Sequence, residues 1–146
     1  MSMSNAAEAA LLDLLFLNED WTGVGDAGGL QNSAAAGSLY IALHDADPGE
    51  AGSQTTNEIA YTGYARVAVV RTAGGWERAG STVENVALVQ FGQCTAGSAT
   101  ATYFSVGRDA SGAGQIILSG PLSASLAISN GIQPQFPAGA LTATLD

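Results

Sequence analysis

Apolar and polar residues alternate along most of this chain, and the dominant period is two. Leu39, Ile41 and Leu43 interleave with Tyr40, Ala42 and His44, which predicts a strand with one apolar face. Asp45-Ala46-Asp47-Pro48-Gly49 ends it, because Pro48 has no backbone N–H and Gly49 tolerates positive φ. A polar loop is expected from Glu50 to about Ala60, and a second strand from Tyr64 to Arg71. Gly74-Gly75 predicts a turn, followed by a brief edge segment from Trp76 to Arg78. Val83 to Phe91 reads as one strand with apolar residues on both faces, and so as buried on both. Ala99 to Gly107 alternates again, and Arg108 to Gly114 is a Gly-rich hairpin turn. Gln115 to Ser119 and Leu122 to Ile128 read as two strands separated by a turn at Gly120-Pro121. Asn130-Gly131 is the strongest hairpin signal in the chain. Pro134 marks Ile132 to Phe136 as an edge strand or bulge. Leu141, Ala143 and Leu145 alternate with Thr142 and Thr144 in a final strand.

The first 38 residues follow a different pattern. Asn5 and Glu8 have capping-box spacing, with Asn in the place of Ser or Thr. Leu11 and Leu15 share a helical face, with Leu12 and Phe16 beside them, which predicts a helix from about Ala6 to Leu17. Leu11, Leu15 and Phe16 are expected to be buried, either on the β-domain or on a neighbouring subunit. Asn18 to Ser38 is a loop, with Trp21 as its anchor. The expected fold is an antiparallel β-sandwich, jelly-roll or Ig-like, of about eight strands behind one N-terminal helix. Residues 1–146 are read as one domain, with the sandwich over about 39–146.

Composition narrows the function. The chain of 146 residues is 12% charged and carries 19 glycines, so its surface is mostly Ser, Thr, Asn, Gln, Gly and Ala. The formal net charge is −9. The basic residues are Arg66, Arg71, Arg78 and Arg108, with no lysine. Clustered cations that would displace counterions from nucleic acid are missing, so neither nucleic acid nor an acidic membrane is expected as a partner. The opening MSMSN lacks the basic segment of a secretory signal. The apolar run from Ala9 to Leu17 is interrupted by Asp13 and is too short to span a bilayer.

Several motifs together carry a family resemblance. LYIALHDADPGEAG and YTGYARVAVVRT are long and specific, and GGW, YFSVG, GAG, LSGPL, SNGI and P-x-F follow in order. With them the chain resembles a family of small tailed-phage virion proteins, described as tail fibre or virion structural proteins. The likeness runs from Ser4-Asn5-Ala6 to the C-terminal strand. It implies a particle component built on a β-rich module, and it transfers no catalytic residue.

Each candidate for chemistry has a plainer structural reading. Asp45, Asp47 and Glu50 offer oxygen ligands around a turn, but they lack the third ligand, the glycine and the closing Glu of a calcium loop. Aspartates also cap turns with no ion present. Gly23-Val24-Gly25-Asp26-Ala27-Gly28 matches G-x-G-x-x-G, but it follows a helix and does not open one, so no nucleotide site is expected. His44, beside Asp45, could carry a proton. A catalytic triad would need a serine on an elbow motif, and none is present. Cys94, the single cysteine, reads as a small buried residue. Tyr61, Tyr64, Trp76 and Tyr103 could form a sugar-binding platform, although strand aromatics more often fill cores. Arg66 and Arg71 are expected on opposite faces of one strand.

The expected function is therefore a non-enzymatic virion structural protein with no catalytic, cofactor or metal residues. Capsid decoration or cementing through protein–protein contacts is the leading form. The alternative is a tail-fibre or tail-tip module that binds a host surface glycan. The expected partners are the major capsid protein or other virion proteins, together with further copies of this chain. The expected location is the virion, at the head surface before the tail, after synthesis in the host cytoplasm.

Overall fold

The computed structural model describes residues 2–145. Helix α1 spans Asn5–Leu12 and runs into a π-helical turn at Asp13–Leu17. Nine strands follow among the described residues: β1 Ser38–His44, β2 Val67–Val70, β3 Trp76–Ala79, β4 Thr82–Asn85, β5 Val89–Gln90, β6 Ala99–Gly107, β7 Ile116–Ile128, β8 Gln135–Phe136 and β9 Thr142–Thr144. They form three sheets, in the orders β2-β1-β6-β7, β3-β4-β9 and β5-β8. The chain is mainly β and antiparallel, with one N-terminal helix, as its alternation predicts. It divides into two compact units.

The first unit comprises Met1–Ser38, Val69–Leu88 and Phe136–Asp146. Its helix starts one residue earlier than the capping-box reading, because the N-cap is Ser4, whose hydroxyl accepts from the Ala7 N–H. Leu12 and Phe16 are fully buried, whereas Leu11 and Leu15 are only half-buried. The inward face is therefore one residue round from the expected one. Phe16 meets Trp76 edge-on at 4.8 Å, so the helix packs on its own unit. At the C-terminus the Asn18 N–H reaches back to the Asp13 carbonyl, and Asn18 adopts φ 57°. Arg71 then caps the turn, donating from Nη2 to Leu14 O at 2.6 Å and from Nε to Leu15 O at 2.7 Å. A cation on the exposed carbonyls of a helix end is favourable on both hydrogen-bond and dipole grounds.

Strand β4 stops at Asn85, so the single strand expected over Val83 to Phe91 is two short ones, β4 and β5. Asn85 is 1% exposed. Its Oδ1 accepts from Leu141 N at 2.8 Å, and its Nδ2 donates to Ala87 O and Pro137 O. The side chain does the bonding of a missing strand, and Leu88 beyond it is 52% exposed.

The second unit comprises Leu39–Ala68 and Val89–Gln135. Strand β1 pairs with β6 (Ile41 opposite Val106, Leu43 opposite Phe104), and β6 pairs with β7. Both faces of β1 are buried, including Ala42 and His44, where the alternation predicted one apolar face. Three further expectations fail in this unit. The strand expected from Tyr64 begins at Val67, because Tyr64 and Arg66 turn inward. Gly120-Pro121 makes no turn: β7 runs through it for 13 residues. Gly120 faces Phe104 and Pro121 faces Tyr103, and the extra residues after Pro121 are absorbed in a bulge before Leu126. Asn130-Gly131 turns the chain, with Gly131 at φ 91°, but no hairpin results, because β7 pairs with β6 and β8 with β5.

Two substitutions test the first unit. Phe16→Ala should cost about 3–5 kcal/mol, as for other buried aromatics. Asn85→Ala should cost roughly 2–4 kcal/mol, because it strands the Leu141 N–H and two carbonyls in the interior. Urea unfolding measures both, and midpoints equal to the parent would refute these assignments.

Candidate functional site

The alternating face of β1 and β6 that carries His44, Tyr103, Ser105 and Gly107 has little apolar surface of its own. It is covered by the polar loop that follows β1. Gln54 is fully buried and lies on Gly107, where an added Cβ would come within 2.1 Å of the Gln54 amide carbon. This close approach requires glycine at position 107. Gln54 Oε1 accepts from Asp109 N at 2.9 Å, and its backbone N–H donates to Gly114 O at 2.8 Å.

His44 lies beneath the same loop. Its Nδ1 is 2.8 Å from Thr56 O, and its Nε2 is 2.8 Å from Ser105 Oγ. A carbonyl can only accept, so the proton sits on Nδ1 and Ser105 donates to Nε2. The topology thus brings a serine to the single histidine across 61 residues, which no elbow motif announces. Both side chains are 0% exposed. The pair has no open face toward a substrate and ties β1, β6 and the loop together. Burial lowers the His44 pKa from 6.5, and the hydrogen bond to Thr56 O only partly opposes this.

Beside it, Glu58 and Arg66 form a bidentate pair, with both N–O distances 2.7 Å. Their side chains are 15% and 3% exposed. Arg66 also donates to Asp109 O and Gly112 O, at 2.9 and 2.8 Å. Tyr64 donates to Glu58 Oε1 and accepts from Leu43 N. The Glu58 carboxylate pushes the Arg66 pKa further up, and burial pushes that of Tyr64 up.

Other predicted positions take the plainer roles. Asp47 Oδ1 accepts from Gly49 N at 2.8 Å, which is the turn-capping reading, and Gly49 has φ 69°. Among the described residues no group of three or more His, Cys, Asp or Glu is placed to hold a metal ion. In the glycine loop, Asp26 Oδ1 takes the N–H groups of Gly28 and Gly29, the donors a phosphate would need. Trp21 is half-buried and forms a two-residue bridge with Leu30. Cys94 is fully buried. The aromatic platform is not assembled. Trp76 is 2% exposed against Phe16, and Tyr61 is 9% exposed and donates to Gly92 O. Tyr64 lies parallel to Phe91 at 6.0 Å. Arg66 and Arg71 share no strand: each flanks β2, Arg66 tied to Glu58 and Arg71 to the helix end.

Of the four aromatics, Tyr103 lines an open groove of about 550 Å³. Asp47, Gly49 and Glu50 form one wall, and β7 from Ile116 to Pro121 forms another. Acidic turn, half-exposed ring and sheet edge meet here, although 52 residues separate Glu50 from Tyr103 in the sequence.

Residues 2–144 match a family described as podophage GP4 fiber I protein gp80. The chain belongs to this family. Among curated proteins, none matches it. Membership in the fibre family makes it a phage structural protein, and the resemblance noted in the sequence is supported at that level. Among the described residues no helix is long and apolar enough to cross a membrane.

Two measurements probe the buried network. Glu58→Ala should cost about 3–5 kcal/mol, because it leaves a buried guanidinium without its carboxylate, whereas Glu58→Leu with Arg66→Met should cost much less. A double variant as unstable as the single one would overturn this account. For His44, the folded pKa lies below the unfolded 6.5, so the unfolded chain takes up the proton first as pH falls. Stability should be level above 6.5 in this respect and decline below it. His44→Gln should flatten that part of the decline in urea midpoints measured across the range, and an unchanged slope would reject the assignment.

Proposed function

We propose that this chain is a non-enzymatic structural component of a phage fibre, acting through protein–protein contacts. The observation that carries the reading is the family match over residues 2–144. It favours the fibre alternative set out from the sequence over capsid decoration, for which nothing beyond small size and low charge speaks. The geometry supports the absence of chemistry as part of the reading. The nearest thing to a catalytic pair, His44 and Ser105, is sealed in the interior, where it serves packing.

A host-glycan role would draw on Tyr103 alone, since Tyr61, Tyr64 and Trp76 are committed to interior contacts. Protein contacts are therefore the stronger reading. With a formal charge of −9, the fibre neighbours it meets are expected to be neutral or basic at their docking surfaces. Raising salt should then weaken rim contacts moderately and leave apolar ones in place.

Gold-labelled antibody on intact particles tests the assignment. Label on the fibres is the expected result. Label spread over the head would overturn it and restore the decoration role.

A further inference from the structure

The groove beside Tyr103 lies wholly within the second unit, and its charge is one-sided. Asp47 and Glu50, both exposed, stand on one wall, and no basic residue lines it. Asp47 gives Oδ1 to the Gly49 N–H, and a carboxylate has a second oxygen to offer. The ion pairs among the described residues are Glu58–Arg66, Asp13–Arg78 and Asp109–Arg108, so none of them neutralises either groove carboxylate. The β7 wall is of the opposite kind: Ile116, Ile117 and Leu118 are apolar and half-buried, as is Tyr103. The volume of about 550 Å³ falls among small-ligand sites, roughly 300–1,000 Å³.

Two carboxylates, an apolar wall and one aromatic ring are complementary to a cation carried on an apolar stem. A guanidinium forks onto a carboxylate, stacks on an aromatic face and sheds water more readily than an ammonium. Its methylenes cover apolar surface while the charged head stays among polar groups. An anionic ligand would be repelled by a chain of net charge −9, and a neutral sugar would draw nothing from the charge itself. We propose that the groove receives an arginine side chain of a neighbouring fibre protein, with the guanidinium against the Tyr103 ring and its N–H groups donating to Glu50 and Asp47. A further copy of this chain is a poor donor of that residue. It has no lysine, Arg66, Arg71 and Arg78 are engaged within it, and Arg108 is paired with Asp109. The identity of the partner rests on the fibre reading above, and the chemistry of the groove does not.

Titration of the isotope-labelled full chain with the blocked tripeptide acetyl-Gly-Arg-Gly-amide tests this, read by NMR shifts of backbone amides and tyrosine rings. Shifts are expected at Glu50, Tyr103 and Ser119, and binding should be weaker in about 300 mM salt than in about 10 mM. Asp47→Asn with Glu50→Gln should weaken binding about tenfold, as the loss of two exposed ion pairs. The asparagine oxygen still accepts from the Gly49 N–H, so the turn survives. Tyr103→Ala should weaken binding about threefold and Tyr103→Phe hardly at all, because the ring face makes the contact. Glu77→Gln with Glu84→Gln removes two charges that face each other in the other unit, and should cost under about twofold. Absence of shifts, shifts confined to other surfaces, equal binding of acetyl-Gly-Gln-Gly-amide, or an equal loss in the two charge variants would each overturn the proposal. N-acetylglucosamine moving the same resonances at lower concentration, with no response to salt, would overturn it and assign the groove to saccharide. The titration and the gold label fail separately. A groove that ignores arginine leaves labelled fibres as they are, and label on the head leaves the titration standing.

Discussion

A polar loop laid over a sheet face stays there when most of the groups it buries find partners, and this governs the second unit, where Gln54 Nε2 is a buried atom left without one. Burying an unpaired guanidinium costs several kcal/mol, and removing one partner of a buried ion pair costs about as much. Arg66 meets the condition with both oxygens of Glu58 and two backbone carbonyls. Through Glu58 the pair holds Tyr64, and Tyr64 takes the Leu43 N–H at the end of β1. The result is a loop fixed as firmly as a strand. It uses hydrogen bonds where a sandwich core uses apolar contact, which suits a chain so poor in charge.

The first unit solves a related problem with other residues. A helix end leaves its last carbonyls without intrahelical partners. Arg71 takes those of Leu14 and Leu15, and Arg78 takes Asp13 on the same turn. Three of the four arginines are thus structural, and Arg108 is the exposed one. The charge pattern follows from this: the arginines are tied up in ion pairs and caps, and the net charge of −9 is carried by the remaining carboxylates.

Much of this was legible in the residues. Strands β1, β3, β6 and β9 lie where the alternation puts them, because their neighbours agree with their local pattern. The N-terminal helix was legible in its extent, and its inward face was off by one position, because Leu11, Leu12, Leu15 and Phe16 offer two equally apolar faces and only Trp76 chooses between them. Gly120-Pro121 misled for a similar reason. Locally it is a turn, but on an edge strand a missing N–H costs nothing on the outer side, and Gly120 gives Phe104 room.

The sequence by itself determined the class: mainly β, antiparallel, one helix in front, and motifs enough to point to a phage structural family. Those are properties of short windows and of ordered motifs, and they need no partner from elsewhere in the chain. Only the tertiary structure decided which polar residues are spent. Glu58, Ser105, Gln54 and Asn85 carry no local signature, since a polar residue in a loop or strand reads as solvated until its distant partner is known. The same holds for the groove. Tyr103 became its wall, and Tyr61, Tyr64 and Trp76 did not, because burial is set by what packs from other segments and not by the residue type.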